Sequence, residues 1–257
     1  MTLTQSLRDL LLSAGADRVG IADLSSIGDR DRPDLPTGVS IVVALDPDII
    51  AGVSDGPTRE YEGEYTRSNA LLTDLAEKGA AFLRAAGYDA KAYAASAGNY
   101  DRITWTSPLP HKIAATRSGI GWIGKSDILV TREFGSAVRL STILTNAPLD
   151  PGDPVEVASC GACSECVRLC PAHAPSGKSW RAGLHRDEFL DIRACAAELL
   201  RVRDERALSH MICGRCIAAC PWTKRYLASA KTPDAALQRP LSDAGPVHGD
   251  APGPRRG

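Results

Sequence analysis

Eight cysteines constrain this 257-residue chain more than any other feature, because all of them lie between positions 160 and 220. The first group has the spacing C-x2-C-x2-C-x3-C-P and comprises Cys160, Cys163, Cys166 and Cys170. The second group has the spacing C-x2-C-x3-C-P, comprises Cys213, Cys216 and Cys220, and is preceded by Cys195. Any fold of this chain has to accommodate two sulfur-rich segments at metal-binding spacing.

The first spacing is that of the bacterial ferredoxin run, in which the fourth cysteine binds the other of two clusters. Three cysteines on one tight loop can reach three irons of a cube, and the fourth follows a helical turn and points away. We therefore predict two [4Fe–4S] clusters that exchange one ligand each. The predicted ligands are Cys160, Cys163, Cys166 and Cys220 for cluster 1, and Cys170, Cys195, Cys213 and Cys216 for cluster 2.

Structural zinc and disulfides are the alternatives to iron–sulfur clusters. Zinc sites take four ligands and do not require the full run with its proline, and disulfides belong to oxidising compartments. The start of the chain lacks the basic segment and unbroken apolar stretch of a secretory signal, so we expect a cytoplasmic protein with reduced cysteines. We expect no membrane span, because no run of about 18 apolar residues is present. The formal net charge of −1 does not indicate nucleic-acid or membrane binding.

Hydrophobic periodicity predicts an α/β (α+β, mixed-sheet) N-terminal domain over 1–150, followed by a small ferredoxin-like double [4Fe–4S] module over 155–226. The predicted strands are 18–24, 39–46, 88–95, 128–131 and 138–145, the last two forming an antiparallel pair. The predicted helices are an N-terminal one ending near Gly15, then 66–86, 111–117 and 186–202. The segment DPGDP at 150–154 is predicted to be a linker, GIGWIGK at 119–125 a glycine-rich turn, and 227–257 a disordered tail.

Residues 111–149, HKIAATRSGIGWIGKSDILVTREFGSAVRLSTILTNAPL, together with the first cysteine group, resemble the epoxyqueuosine reductase family. The resemblance covers roughly residues 90–226. It implies a cobalamin-type domain in which a nearby cluster reduces a corrinoid, and an external low-potential donor of the ferredoxin or flavodoxin type. It also implies a small-molecule or modified-nucleoside substrate, with tRNA as a possible partner. The reductive dehalogenases combine a corrinoid and two clusters in a similar way.

Two sets of side chains are candidates for the chemistry beyond the clusters. The candidate catalytic residues are Asp101, His111 and Lys112, and the candidate cofactor-binding residues are Arg117, Gly119, Gly121, Gly124 and Lys125. Histidine and lysine can relay a proton or contact an anion, and glycines let a ligand approach the backbone. An ungapped alignment puts Trp105 where the family has a catalytic aspartate, and Asp101 is the nearest acid.

The sequence therefore predicts an iron–sulfur oxidoreductase that passes single electrons to a corrinoid or substrate in the N-terminal domain. A non-catalytic, ferredoxin-like electron-transfer partner is the alternative, favoured by the missing aspartate. A nucleic-acid-binding iron–sulfur protein is a third possibility. Tyr61 and Tyr65 are predicted either to line the acceptor site or to pack, and Trp122 is predicted to lie in the core.

Overall fold

The computed structural model describes residues 1–27, 34–96, 101, 104–107 and 109–231. Its strands are β1 (Arg18–Asp23), β2 (Thr37–Ala44), β3 (Ala90–Tyr93), β4 (Gly121–Ile123), β5 (Leu129–Thr131) and β6 (Val138–Thr145). Its helices are α1 (Leu3–Ser13), α2 (Pro47–Ala51), α3 (Arg59–Ala85), α4 (His111–Arg117), α5 (Glu165–Arg168), α6 (Ile192–Glu205), α7 (Arg215–Ala219) and α8 (Pro221–Ala230). The predicted disordered tail lies outside the described residues from position 232 onward.

The N-terminal part is built on a four-stranded sheet with the order β1-β2-β6-β3. Each neighbouring pair of these strands is antiparallel. The predicted α/β (α+β) class is confirmed, and the described sheet is antiparallel rather than mixed. Antiparallel neighbours do not require crossover helices between every strand, so α3 and α4 are free to cover opposite faces.

Alternation along the two central strands explains why both faces of the sheet are buried. Val39, Ile41 and Ile143 point to the face covered by α1 and α3, where Leu72 and Leu75 pack against them. Even-numbered positions point to α4: Val42 and Leu144 contact clusters that contain Ala115 and Ala114. The period of two puts successive side chains on opposite faces, so both faces need apolar residues.

The region 119–145 differs from the prediction. Strand β5 does not pair with β6; it pairs with β4 in a separate two-stranded sheet, with Trp122 opposite Val130. The predicted glycine turn thus contains a strand, Gly121–Ile123. A Cβ on Gly121 would lie 2.2 Å from the Val130 carbonyl oxygen, so the close approach of β5 explains the glycine.

Helix boundaries also depart from the prediction. Helix α3 begins at Arg59, seven residues before the predicted start, because the Thr58 hydroxyl accepts a hydrogen bond from the Tyr61 amide and caps the helix. The predicted helix 186–202 is broken into a short 3₁₀ turn and α6, which begins after the cap Asp191. Helix α8 continues to Ala230, past the predicted module end at 226, since Leu227 still packs on the apolar cluster of α2.

The cysteine-rich part packs directly on the N-terminal part. One apolar cluster joins Leu45, Val53 and Tyr61 to Ile212 and Ile217. Another joins β4 and β5 to Trp180 and Phe189. The predicted linker is also hydrogen-bonded to the N-terminal part. The Gly152 amide donates to the Ile21 carbonyl (2.9 Å), and the Val155 amide donates to the Thr116 carbonyl (2.8 Å). Whether the two parts fold separately stays a prediction.

Candidate metal centre

The first cysteine group lies on a tight turn followed by one turn of helix. Gly161 has φ +53°, a backbone conformation that glycine adopts without strain. The Cys163 amide donates to the Cys160 carbonyl at 3.1 Å, which closes the turn. Helix α5 then carries Cys166 and ends before Cys170. This local geometry explains why three cysteines share one loop while the fourth leaves it.

The second cysteine group is arranged around α7. Gly214 has φ +82° and precedes the helix, and a Cβ there would lie 3.1 Å from the Tyr61 ring. Cys220 is extended (φ −62°, ψ 125°), ending α7 and preceding Pro221, the first residue of α8. Proline is favoured at the first helical position, so the C-P pair forms a boundary between two helices. Helix α5 packs against α7, which brings the two groups together.

The electrostatic environment of Cys166 identifies the thiols around it. Burial raises the pKa of this thiol to about 11, and the neighbouring thiols that raise it further are Cys160, Cys220 and Cys163. Three of these residues belong to the first group, and Cys220 comes from the second. This set equals the four ligands predicted for cluster 1.

The second set follows from Cys195 and Cys216. Burial raises the pKa of Cys195 to about 11, with Cys170 and Cys213 as its thiol neighbours. Burial also raises the pKa of Cys216 well above its usual range, and smaller contributions come from Cys213, Cys195, Cys166 and Cys170, in decreasing order. The structure therefore brings together the four thiols predicted for cluster 2 and places the two sets next to each other. Ligation itself stays a prediction.

The chemistry of these two sets fits iron–sulfur clusters. All eight cysteines are free, half-buried thiols. Within the described ranges, no three His, Cys, Asp or Glu side chains are close enough to hold a single ion; a cubane is wider, since each thiolate binds a different iron. Two buried donors beside the thiols, Trp122 Nε1 and Arg215 Nε, have no hydrogen-bond partner among the described residues. Cluster sulfides accept such hydrogen bonds.

The candidate glycines are packed against the protein itself. A Cβ on Gly119 (φ +79°) would lie 2.7 Å from the Asp153 carbonyl oxygen, and Gly121 faces β5 as described above. A Cβ on Gly124 would lie 2.9 Å from Val130 and 3.8 Å from Cys160 Sγ. The structure thus uses these glycines for contacts with the linker, with β5 and with the Cys160 side chain.

The two candidate cofactor-binding cations also contact protein groups. Arg117 Nε donates to the Asp23 carbonyl at 3.3 Å, and its guanidinium lies 3.8 Å from the Glu156 carboxylate. Lys125 is only 7% exposed, and its Nζ donates to the Gly161 carbonyl (3.0 Å) and the Cys163 carbonyl (2.9 Å). Among the candidate cofactor-binding residues, Lys125 and Gly124 are therefore the ones that the structure brings to the cysteines.

The three candidate catalytic residues are separated. The Asp101 carboxylate accepts a hydrogen bond from the Thr104 amide at 3.0 Å in an exposed turn. Lys112 forms an ion pair with Asp127 at 2.5 Å. His111 Nε2 lies 3.0 Å from the Ala94 carbonyl and therefore donates, so Nδ1 accepts from the Thr142 hydroxyl at 2.8 Å. Burial lowers the pKa of His111 to about 4. The structure does not assemble these residues into one acid–base site.

A cavity of about 310 Å³, lined by both polar and apolar groups, lies between α3, the end of β3 and the second part of the chain. Its walls include Tyr65, Asn69, Ser96 and His210. The Tyr65 ring contacts the His210 ring in a tilted arrangement, with the centroids 5.1 Å apart, and His210 lies three residues before Cys213. Tyr65 therefore lines a cavity, whereas Tyr61 is buried beside the second cysteine group, where Cys216 and Cys213 contribute to its raised pKa after burial.

Sequence reasoning missed Arg139, which organises this cavity. Its guanidinium stacks on the Tyr65 ring (4.4 Å), Nε donates to Asn69 Oδ1 (2.9 Å), and the terminal NH2 group donates to Ser96 Oγ (2.9 Å). An arginine in a strand whose other side chains are all uncharged was the available signal. Neither this cavity nor a second one of about 480 Å³, within the cysteine-rich part, is lined by the five candidate cofactor-binding residues.

Known proteins of two kinds are similar in sequence to this chain. No family model matches the chain. It is 32% identical over 147 residues to an epoxyqueuosine reductase of Bacillus anthracis, covering 53% of this chain and 36% of the relative. It is 27% identical over 247 residues to a tetrachloroethene reductive dehalogenase of Desulfitobacterium hafniense, covering 93% of this chain and 42% of the relative.

Solved structures of the same two kinds of enzyme superpose on this chain. An epoxyqueuosine reductase with an epoxyqueuosine-modified tRNA-Tyr stem loop superposes with a TM-score of 0.59 at 21% identity, covering 86% of this chain and 65% of that one. A reductive dehalogenase structure described as suggesting a mechanism for B12-dependent dehalogenation superposes with a TM-score of 0.66 at 20% identity, covering 91% and 36%.

This chain is similar in sequence to epoxyqueuosine reductases over about half of its length. The structural likeness extends across both of its parts and includes the reductive dehalogenases, so it establishes the common fold. The matches span 36% and 42% of the two sequence relatives, well under half of either. Among the described residues, no helix is both long and apolar enough to cross a lipid bilayer.

Proposed function

We propose that the chain is an iron–sulfur oxidoreductase in which two [4Fe–4S] clusters pass single electrons to an acceptor bound by the N-terminal domain. The observation that carries this proposal is the grouping of thiols. Cys220 lies with the first cysteine loop, and Cys170 lies with Cys195, Cys213 and Cys216. Two sets that each borrow a ligand from the opposite segment are the arrangement of adjacent ferredoxin clusters.

The Tyr65–Arg139 cavity is the proposed acceptor site. It lies beside the second cysteine group through Tyr65 and His210, and Arg139 supplies a cation that stacks on one wall. Asn69 and Ser96 supply polar atoms that can orient a ligand. Its volume is at the lower end of the range for drug-sized ligands, roughly 300–1,000 Å³. A small electrophile therefore fits this cavity, whereas a whole corrinoid is larger.

Cobalamin stays a proposal that rests on the relatives, one of whose structures is described as B12-dependent. The candidate residues Arg117, Gly119 and Gly121 do not fit this role in the structure, because each one contacts protein backbone or a carboxylate. We therefore assign no step of the reaction to a corrinoid. The proposed external donor is a low-potential protein of the ferredoxin or flavodoxin type.

A non-catalytic electron-transfer partner is the second candidate. The observation that favours it is that the candidate acids are already engaged: Asp101 holds a turn, and both ring nitrogens of His111 are hydrogen-bonded. This function predicts that the reduced protein transfers electrons to a partner but converts no substrate alone. Stopped-flow reoxidation with and without small electrophiles such as halogenated phenols distinguishes the two functions.

A modified nucleoside in tRNA is a further proposed substrate, supported by the related enzyme solved with a tRNA stem loop. Residues 181–225 contain nine Lys or Arg and six Asp or Glu, but this small basic surplus gives the tRNA substrate little support. Arg201 pairs with Glu198 and Glu205, and Arg203 pairs with Asp204, so these cations are neutralised locally. Binding of tRNA that weakens steeply with salt supports this substrate, whereas absence of binding at low salt excludes it.

Anaerobic reconstitution tests the central proposal. Iron and sulfide are counted per chain, cobalt is counted after incubation with cobalamin, and EPR spectra are recorded before and after dithionite reduction. We expect roughly eight irons per chain and signals from two interacting reduced clusters. One zinc per four cysteines, or a colourless protein after reconstitution, would refute the proposal.

A further inference from the structure

Lys125 is a buried cation that has no carboxylate partner in the part of the chain that the structure describes. Its side chain is 7% exposed, and among the described residues no Asp or Glu lies within ion-pair distance of its Nζ. Lys112, thirteen residues earlier, provides the contrast because it pairs with Asp127 at 2.5 Å. A buried charge that lacks a counter-charge is costly, so the position of Lys125 calls for an anion nearby.

The contacts of Lys125 show where that anion belongs. Its Nζ donates to the carbonyls of Gly161 and Cys163, at 3.0 and 2.9 Å, within the loop that carries the first three cysteines. The preceding residue, Gly124, places its backbone so close to Cys160 that a Cβ would lie 3.8 Å from the sulfur. Carbonyl oxygens solvate an ammonium group but do not neutralise it.

A [4Fe–4S] cluster with four thiolates is anionic in both of its working oxidation states, and more so when reduced. We propose that Lys125 is the fixed counter-charge of cluster 1 and raises the reduction potential of that cluster. This inference rests on the proposed function, since it requires a cluster at Cys160, Cys163, Cys166 and Cys220. It assigns Lys125 to the iron–sulfur cluster instead of to a corrinoid. Lys125 is a positioning and tuning residue, because it touches the loop rather than the reacting atoms.

The direction of the effect follows from electrostatics. Adding an electron to a cluster increases its negative charge, and a nearby cation stabilises that state more than the oxidised state. Replacing Lys125 by a neutral residue therefore lowers the midpoint potential. For a unit charge within about 10 Å at an effective dielectric constant of about 20, the reduced-to-oxidised ratio changes roughly tenfold. A tenfold change for one electron corresponds to about 59 mV.

The test is an EPR-monitored redox titration of the reconstituted full chain. Lys125→Met is compared with Lys125→Arg, which keeps the charge, and with Lys178→Met, an exposed lysine paired with Glu188. We expect Lys125→Met to lower the potential of one cluster by about 59 mV and the other two variants to leave both potentials near the wild-type values. Unchanged potentials in a fully loaded Lys125→Met protein, or equal shifts of both clusters, would overturn the inference.

A second measurement covers the case in which Lys125→Met does not assemble cluster 1. In the metal-free protein Lys125 lacks its counter-charge, so Lys125→Met is expected to unfold at the same or a higher temperature than the wild type. A marked loss of metal-free stability would mean that Lys125 is only a structural clamp and would refute the counter-charge role. Failure of the wild type to load iron would instead refute the proposed function, so the two failures are distinguishable.

Discussion

His111 should make the stability of this protein depend on pH in a defined window. The imidazole is held between the Ala94 carbonyl and the Thr142 hydroxyl, and burial lowers its pKa from 6.5 to about 4. Between about pH 4 and pH 6.5 the imidazole is therefore mostly protonated in the unfolded chain and mostly neutral in the folded chain. Because the unfolded state holds more protons there, the free energy of unfolding falls as the pH falls from about 6.5 to about 4.

The size of the effect follows from the two pKa values. A difference of about 2.5 units corresponds to a limit of about 3 kcal/mol at low pH, at about 1.4 kcal/mol per unit. Between pH 7 and pH 5 the loss amounts to about 2 kcal/mol, since the unfolded imidazole is almost fully protonated at pH 5 and the folded one is mostly neutral. Above about pH 7 His111 contributes no further pH dependence.

Denaturant unfolding of metal-free wild-type protein and of His111→Gln at pH 7 and pH 5 measures this effect. Glutamine cannot titrate, so the stability difference between the two proteins should shrink or reverse by about 2 kcal/mol at pH 5. Other groups titrate equally in both proteins and cancel in the comparison. Parallel losses of stability in the two proteins, or an NMR pKa of His111 above 6, would refute the reasoning.

Three other substitutions test separate parts of the structure. Gly135→Ala should cost at least about 2 kcal/mol in urea unfolding, because Gly135 has φ +57° and the new Cβ would lie 2.1 Å from the Thr223 amide nitrogen. Gly63→Ala is the control: a Cβ at this position in α3 meets open space, so the substitution should stabilise the chain. Glu64→Gln should cost about 1–3 kcal/mol of unfolding free energy at pH 7 and less at pH 4. Burial alone would raise the pKa of Glu64, but hydrogen bonds from Arg67, the Asp46 amide and Ser68 hold this pKa below its usual value. Equal losses of stability at the two pH values would contradict this prediction. Cys220→Ser should remove about four of eight irons and leave the EPR signal of cluster 2, whereas loss of that signal with retention of cluster 1 would contradict the ligand exchange.

The elements with strong local patterns were predictable from the sequence. The apolar strands 18–24, 39–46 and 138–145 and the helix at 111–117 appear within a few residues of their predicted positions. The loop arrangement of the cysteines was predictable too, because their spacing encodes which sulfurs share a loop and which one leaves it, while the two ligand sets stay a prediction.

Features that depend on tertiary contacts were not predictable in this way. The pairing of β5 with β4 instead of β6 is set by the close approach that Gly121 allows, and no periodicity reports it. The roles of Lys125 and Arg139 depend on residues far away in the chain, at 161–163 and at 65–96. A glycine-rich stretch indicates close approach, but the sequence does not say whether a ligand, a neighbouring strand or a cysteine loop approaches it.

The tight seating of α8 against the N-terminal part has a kinetic consequence. Thr223 is fully buried and accepts a hydrogen bond from the Ser136 amide at 2.9 Å, and the Tyr226 hydroxyl donates to the Leu45 carbonyl at 3.0 Å. Electron tunnelling between fixed sites needs no swinging of one part toward the other. Electron transfer between the two proposed clusters should therefore proceed at the same rate in buffer and in concentrated glycerol, unlike transfer in relays that shuttle on a hinge.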